Sequence, residues 1–167
     1  MANVELYLIR HGAAEVRSDA WPDDALRPLT AEGMTDLRKA ARSLSRMGIC
    51  FDVVLTSPLV RTRQTAEIFA AGFEPNPPVV HLDALAPGGS SAAVLAELGK
   101  HSRRKKIAIV GHEPGIGDLA AKLLGTREDI EFKKGAVLRV DVEMLPPKGT
   151  GTLRWFLAPK FLRALKK

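Results

Sequence analysis

Cysteine is almost missing from this chain of 167 residues: Cys50 stands alone. That excludes an intramolecular disulfide framework and any zinc site built on several thiolates. Aromatic residues make up only 5%, and no stacking platform or groove-reading motif of a nucleic-acid binder appears among them. No apolar run approaches the roughly 18 residues that a membrane span requires. The opening Met1-Ala2-Asn3-Val4-Glu5 has no basic start, no long apolar stretch and no small-residue cleavage site, so a secretory leader is not expected. Internal repeats, low-complexity tracts and linkers are missing too. The expectation is one domain over 1–167, cytoplasmic, with no nucleic-acid or membrane partner.

What is present is a globular composition, 46% hydrophobic and 26% charged, in a chain long enough to bury roughly two-thirds of its unfolded surface. Twenty-five Lys and Arg against nineteen Asp and Glu leave a net charge of +6, which favours an anionic ligand without naming one. The basic runs Arg103 to Lys106 and Lys160 to Lys167 read as a solvated loop and an exposed helix face.

Short apolar runs alternate with helical patterns, which predicts an α/β sheet. Val4 to Ile9, Phe51 to Leu55, Val79 to Leu82 and Ile107 to Val110 read as strands. The first long helix opens at Thr30, a cap residue, with Met34, Leu37, Ala41 and Leu44 on one stripe and Gly48 as its stop. Ser57-Pro58 predicts a second helix with Ser57 as its cap. Ser90 to Gly99 and Pro114 to Leu124 predict two more, and Ala136 to Met144 pairs with Thr152 to Leu157 as a hairpin.

Two of the four histidines occupy matching places. Leu8-Ile9-Arg10-His11-Gly12 and Val110-Gly111-His112-Glu113 each put a histidine just past a buried strand, where open α/β sheets bind ligands. A third strand end, Leu55-Thr56-Ser57-Pro58, leads into the helix that carries Arg61 in its expected second turn. If these strands are neighbours, two histidines and two arginines converge. Metal binding is one reading of a histidine pair, and two unrelated histidines satisfied by backbone is another. Fixed guanidinium charge repels a cation and matches the geometry of phosphate, so no metal and no cofactor are expected.

These segments resemble the histidine phosphatase superfamily, which includes the phosphoglycerate mutases. Arg10-His11-Gly12 resembles its signature, Leu29-Thr30-Ala31-Glu32-Gly33 its first helix start, Thr56 to Ala66 its arginine-bearing helix, and Val110 to Pro114 its second histidine motif. The length, together with Leu26-Arg27-Pro28-Leu29-Thr30, is most similar to the short bacterial phosphohistidine phosphatases of the SixA type. The resemblance implies a three-layer α/β/α fold of phosphoglycerate mutase type, with a mixed, mainly parallel sheet. It implies a shallow, open site, since the chain has no spare length for a roof.

By the same resemblance His11 is the nucleophile that carries the phosphoryl group, and Arg10, Arg61 and His112 hold the phosphoryl oxygens. Arg27, Gly12 and Ser57 are candidate substrate contacts. Nearby arginine charge keeps His11 neutral, whereas a bound phosphate dianion favours cationic His112. The implied reaction is hydrolysis of phosphohistidine on a protein, such as a histidine-containing phosphotransfer domain, by a monomer. Alternatives are a phosphatase of small esters or phosphoserine proteins, and a non-catalytic binder of phosphorylated or other acidic partners. Aligned with the mutase-like branch, His81 to Leu85 places Ala84 where a proton-donating glutamate is expected. Asp24, Asp83 and Glu15 are then the candidate general acids, each with a plainer reading as a solvated loop carboxylate. Glu113 reads as a structural hydrogen-bonding residue and Arg63 as solvated.

Overall fold

The computed structural model describes residues 3–165. Strand β1 (Val4–Arg10) leads through a 3-10 turn (Asp24–Leu26) to helix α1 (Ala31–Arg46). Strand β2 (Val53–Thr56), helix α2 (Val60–Ala71) and strand β3 (Val79–His81) follow, then helix α3 (Ser91–Leu98), strand β4 (Lys106–Gly111) and helix α4 (Gly115–Leu124). Strands β5 (Val137–Val142) and β6 (Thr152–Leu157) and helix α5 (Pro159–Ala164) complete the described chain.

The sheet runs β3-β2-β4-β1-β5-β6. The first four strands are mutually parallel, while β5 and β6 are antiparallel additions at one side. Its central strands are buried on both faces, so they read as continuous apolar runs instead of alternating ones. Leu6, Leu8, Leu55, Ile107 and Ile109 pack with α3 and α4 through Val94, Leu98, Ile116 and Leu119. Tyr7, Ile9, Val54 and Val110 pack on the opposite face with Leu37, Leu44, Phe69 and Leu162 of α1, α2 and α5. This is the expected α/β/α layering with a mixed, mainly parallel sheet.

Thr30 caps α1, its hydroxyl accepting the Gly33 N–H at 2.9 Å. Most boundaries shift by a residue or two from expectation, and some of the shifts have a physical cause. The second strand begins at Val53 because the Asp52 carboxylate takes the N–H groups of Lys105 and Lys106 at 2.7 and 2.9 Å, tying the two strand starts together. Helix α2 begins at Val60, capped by Leu59 without a side-chain bond, so Ser57 is not its cap and Arg61 falls in the first turn. The basic tail is helical over Pro159–Ala164 with Leu162 buried; its last two lysines, like Met1-Ala2, lie outside the described residues.

Candidate active site

Strand register assembles the site. Ile9 pairs with Val110 and Arg10 with Gly111, so His11 and His112 leave adjacent parallel strands at the same level. Thr56 of β2 pairs with the same Val110 from the other side, and the Ser57 N–H continues the ladder to the Val110 carbonyl at 3.2 Å. The His11 N–H does likewise to Gly111 at 3.1 Å. The three expected strand ends are therefore contiguous, and the two imidazole centroids lie 5.4 Å apart.

His11, Arg10, Arg61, His112, Arg27 and Lys134 line one cavity of about 490 Å³. The His11 Nδ1–H donates to the Gly12 carbonyl at 2.7 Å, which leaves the lone pair on Nε2. Burial, opposed by the Gly12 bond and reinforced by the charges of Arg61, Arg10 and Lys134, lowers the His11 pKa to about 4. Burial first, then His11 and Arg61, lowers that of His112 to about 3. In the free protein both rings are neutral, so cationic His112 is not the resting state.

Ser57 Oγ accepts the Leu59 N–H at 3.4 Å and lies 2.8 Å from His112 Nε2. When the hydroxyl gives its own proton to Nε2, the neutral ring carries hydrogen on Nδ1. That Nδ1 is buried and has no partner within the protein. Ser57, expected as a substrate contact, is thus committed to His112.

The two arginines are held alike. Arg10 donates from one terminal nitrogen to the Phe132 carbonyl at 2.7 Å. Arg61, only 4% exposed, donates to the Asp24 carbonyl at 2.8 Å and to Asp24 Oδ2 at 3.0 Å. In both, Nε is buried and unpartnered. Buried polar atoms are ordinarily satisfied; here three nitrogens, Arg10 Nε, Arg61 Nε and His112 Nδ1, belong to residues lining the cavity that holds His11.

The remaining expected residues fall elsewhere or serve otherwise. Gly12 does not offer its N–H, which donates to Thr65 Oγ1 at 3.2 Å. A Cβ there would stand 2.7 Å from Leu37 Cδ1, so glycine is what lets α1 close on the His11 turn. Arg27 donates from Nε to Asp24 Oδ1 at 2.9 Å and from a terminal nitrogen to the Glu15 carbonyl at 2.8 Å.

Asp24 is unsuited to act as an acid: the Arg27 hydrogen bond, with the charges of Arg61 and Arg17, holds its carboxyl below the usual range. Asp83 is exposed and does not line the cavity. Its neighbour Ala84 lines an adjoining cavity of about 340 Å³ together with His112 and Glu113, so the segment thought to lack the acid does lie beside the site. Glu15 borders the main cavity. Glu113, which borders both cavities, is raised by burial, and its Oε1 is buried without a hydrogen-bond partner.

Sequence reasoning missed Lys134 and the Phe132 carbonyl. Their signal is Gly135, at φ +81°, a conformation glycine adopts without strain. Its N–H reaches the Arg10 and His11 carbonyls, both at 3.0 Å, and so folds the 132–134 segment onto the site. Among the described residues, no group of three or more His, Cys, Asp or Glu is placed to hold a metal ion, and no helix is long and apolar enough to cross a membrane.

Comparison with known proteins matches residues 6–86 to the histidine phosphatase superfamily (branch 1). An uncharacterised protein of a Picosynechococcus species is 40% identical over 140 residues, spanning 81% of this chain and 83% of that protein. The phosphohistidine phosphatase SixA of Escherichia coli is 27% identical over 165 residues, 98% of this chain and 99% of SixA. Among solved structures, the protein histidine phosphatase SixA complexed with tungstate superposes with a TM-score of 0.84 at 27% identity, covering 95% of this chain and 99% of that one.

Proposed function

The chain belongs to the histidine phosphatase superfamily, and we propose that it removes phosphate from phosphohistidine on a protein, through a phosphohistidine intermediate on its own His11. The observation that carries this reading is the trio of buried, unpartnered nitrogens around a neutral histidine. With the His112 proton on Nδ1, these are three N–H donors for the three equatorial oxygens of a phosphoryl group in transfer.

In the first step the Nε2 lone pair of His11 attacks phosphorus as the bond to the leaving nitrogen breaks. Arg10 Nε, Arg61 Nε and His112 Nδ1 donate to the oxygens throughout. In the second, water attacks the phosphoryl group on Nε2, releasing inorganic phosphate and restoring the neutral ring. Burial serves the nucleophile, since a protonated imidazole has no lone pair to give. The leaving imidazole departs neutral when its other nitrogen carries a proton, so it needs less help than an alkoxide. Asp24, which lines the cavity, is held ionised by arginines, and that suits such a substrate. The likeness to SixA supports the same choice.

The test is turnover of a phosphohistidine protein beside p-nitrophenyl phosphate and a phosphosugar. Higher kcat/KM for the phosphohistidine protein is expected. Preference for either small ester would replace the substrate with a small phosphate ester, the second reading.

A further inference from the structure

The cavity is bordered by Val16 and by the 3-10 turn of Asp24, which ends at Leu26; the chemistry uses neither apolar side chain. Val16 is 80% exposed and Leu26 58%. Single exposed apolar residues are ordinary, but these two stand on segments that border the cavity and are tied to each other. Ala14 bridges antiparallel to Leu29 and the Glu15 N–H donates to the Pro28 carbonyl at 2.9 Å. The Arg27 bond to the Glu15 carbonyl and the Arg17–Asp24 ion pair at 3.5 Å hold the two segments together, and Arg61 fixes Asp24 from α2. Cationic side chains flank them: Arg17, 79% exposed though ion-paired with Asp24, and the exposed Lys134 on the cavity wall.

We propose that this rim, Val16 and Leu26 between Arg17 and Lys134, is the docking surface for the protein that presents the phosphohistidine. The surface it fits has apolar side chains next to the modified histidine and acidic ones around them. The occupant follows from continuity and charge. The rim borders the cavity where the phosphoryl group reacts, so whatever carries that group must lie over it. A free phosphoamino acid is too small to cover Val16 and Leu26 while its phosphorus sits at His11. The inference rests on the phosphohistidine-protein reading above.

The experiment compares two substrates with the same leaving group. One is a histidine-containing phosphotransfer domain charged with phosphoramidate, and the other is free phosphohistidine. Each is measured with the parent protein and with the double variant Val16→Ser/Leu26→Ser. Both side chains are exposed, so the variant should melt with the parent. The expected result is a fall of about tenfold or more in kcat/KM for the phosphoprotein, with free phosphohistidine unchanged. An unchanged phosphoprotein rate, or an equal fall for both substrates, overturns the docking surface while leaving the reaction intact. A parent protein that turns over free phosphohistidine as efficiently as the phosphoprotein overturns the protein-substrate reading itself, and the docking surface with it.

Discussion

Burying two histidines as neutral rings makes the fold acid-sensitive in a definite window. In the unfolded chain each titrates near 6.5, and in the folded protein near 4 for His11 and 3 for His112. Between these values the unfolded state binds more protons, so stability falls as pH falls. Taking the protein from pH 8 to pH 5 protonates both rings in the unfolded chain and neither in the folded one. The loss is about 2 kcal/mol per histidine, about 4 kcal/mol for the pair. That is a large part of the 5–15 kcal/mol typical of a domain.

The carboxylates do not confuse this window. Asp24 and Asp141 have lowered folded values, so their contribution is whole above about pH 4 and disappears only below it. Glu113 is raised by burial and gives a small opposing gain toward acid, common to parent and variant. The assay is urea denaturation at pH 8 and pH 5 in buffers free of phosphate and sulfate, on the parent and on His11→Asn/His112→Asn. The parent midpoint should drop by about 2 M, and the double variant should lose less than half as much. An unmoved parent midpoint, or an equal loss in the variant, would refute the neutral-pair argument.

His11→Ala should keep the fold and lower turnover by at least about a thousandfold. Quenched parent reactions should trap an acid-labile, alkali-stable phosphoryl group on Nε2, and near-parent activity of the alanine variant would end the mechanism. Ser57→Ala should lower kcat/KM about tenfold, the worth of one hydrogen bond that fixes the His112 tautomer, with little change in Tm; parent-level kcat/KM would show that His112 needs no such partner. Asp24→Asn should loosen Arg61 and Arg27 and raise KM, yet leave the dependence of kcat/KM on leaving-group pKa unchanged across aryl phosphates. A slope that steepens in the variant would identify Asp24 as a proton donor after all. Chelators should leave activity unchanged and vanadate should inhibit competitively; loss restored only by an added divalent ion would contradict both expectations.

The central strands were legible because burial on both faces leaves continuous apolar runs such as Ile107 to Val110, and α1 because Thr30 and its apolar stripe agree. The convergence of His11, Arg61 and His112 followed from strand ends, which the parallel register of β1, β4 and β2 makes contiguous. Where reasoning failed, a side chain had a nonlocal use. Ser57 has the local pattern of a helix cap, but its hydroxyl is bound to a histidine 55 residues away. Asp24 resembled a loop carboxylate or an acid, and its role depends on arginines 3 and 37 residues distant. Gly12 suggested a substrate N–H, whereas its neighbours Thr65 and Leu37 lie on two different helices. Local propensity does not encode such partners.

Arg10 and Arg61 each anchor a loop with a terminal nitrogen, at the Phe132 and Asp24 carbonyls, and keep Nε free. Lysine carries a single nitrogen on a flexible stem and cannot fill two posts with fixed geometry. Replacing either arginine by lysine would therefore do more than weaken the grip on an anion. It would release the segment around residue 132 or the one around residue 24, and with it the shape of the entrance. Anion affinity and entrance shape are inherited together in this molecule, so neither can drift at these two positions without carrying the other along.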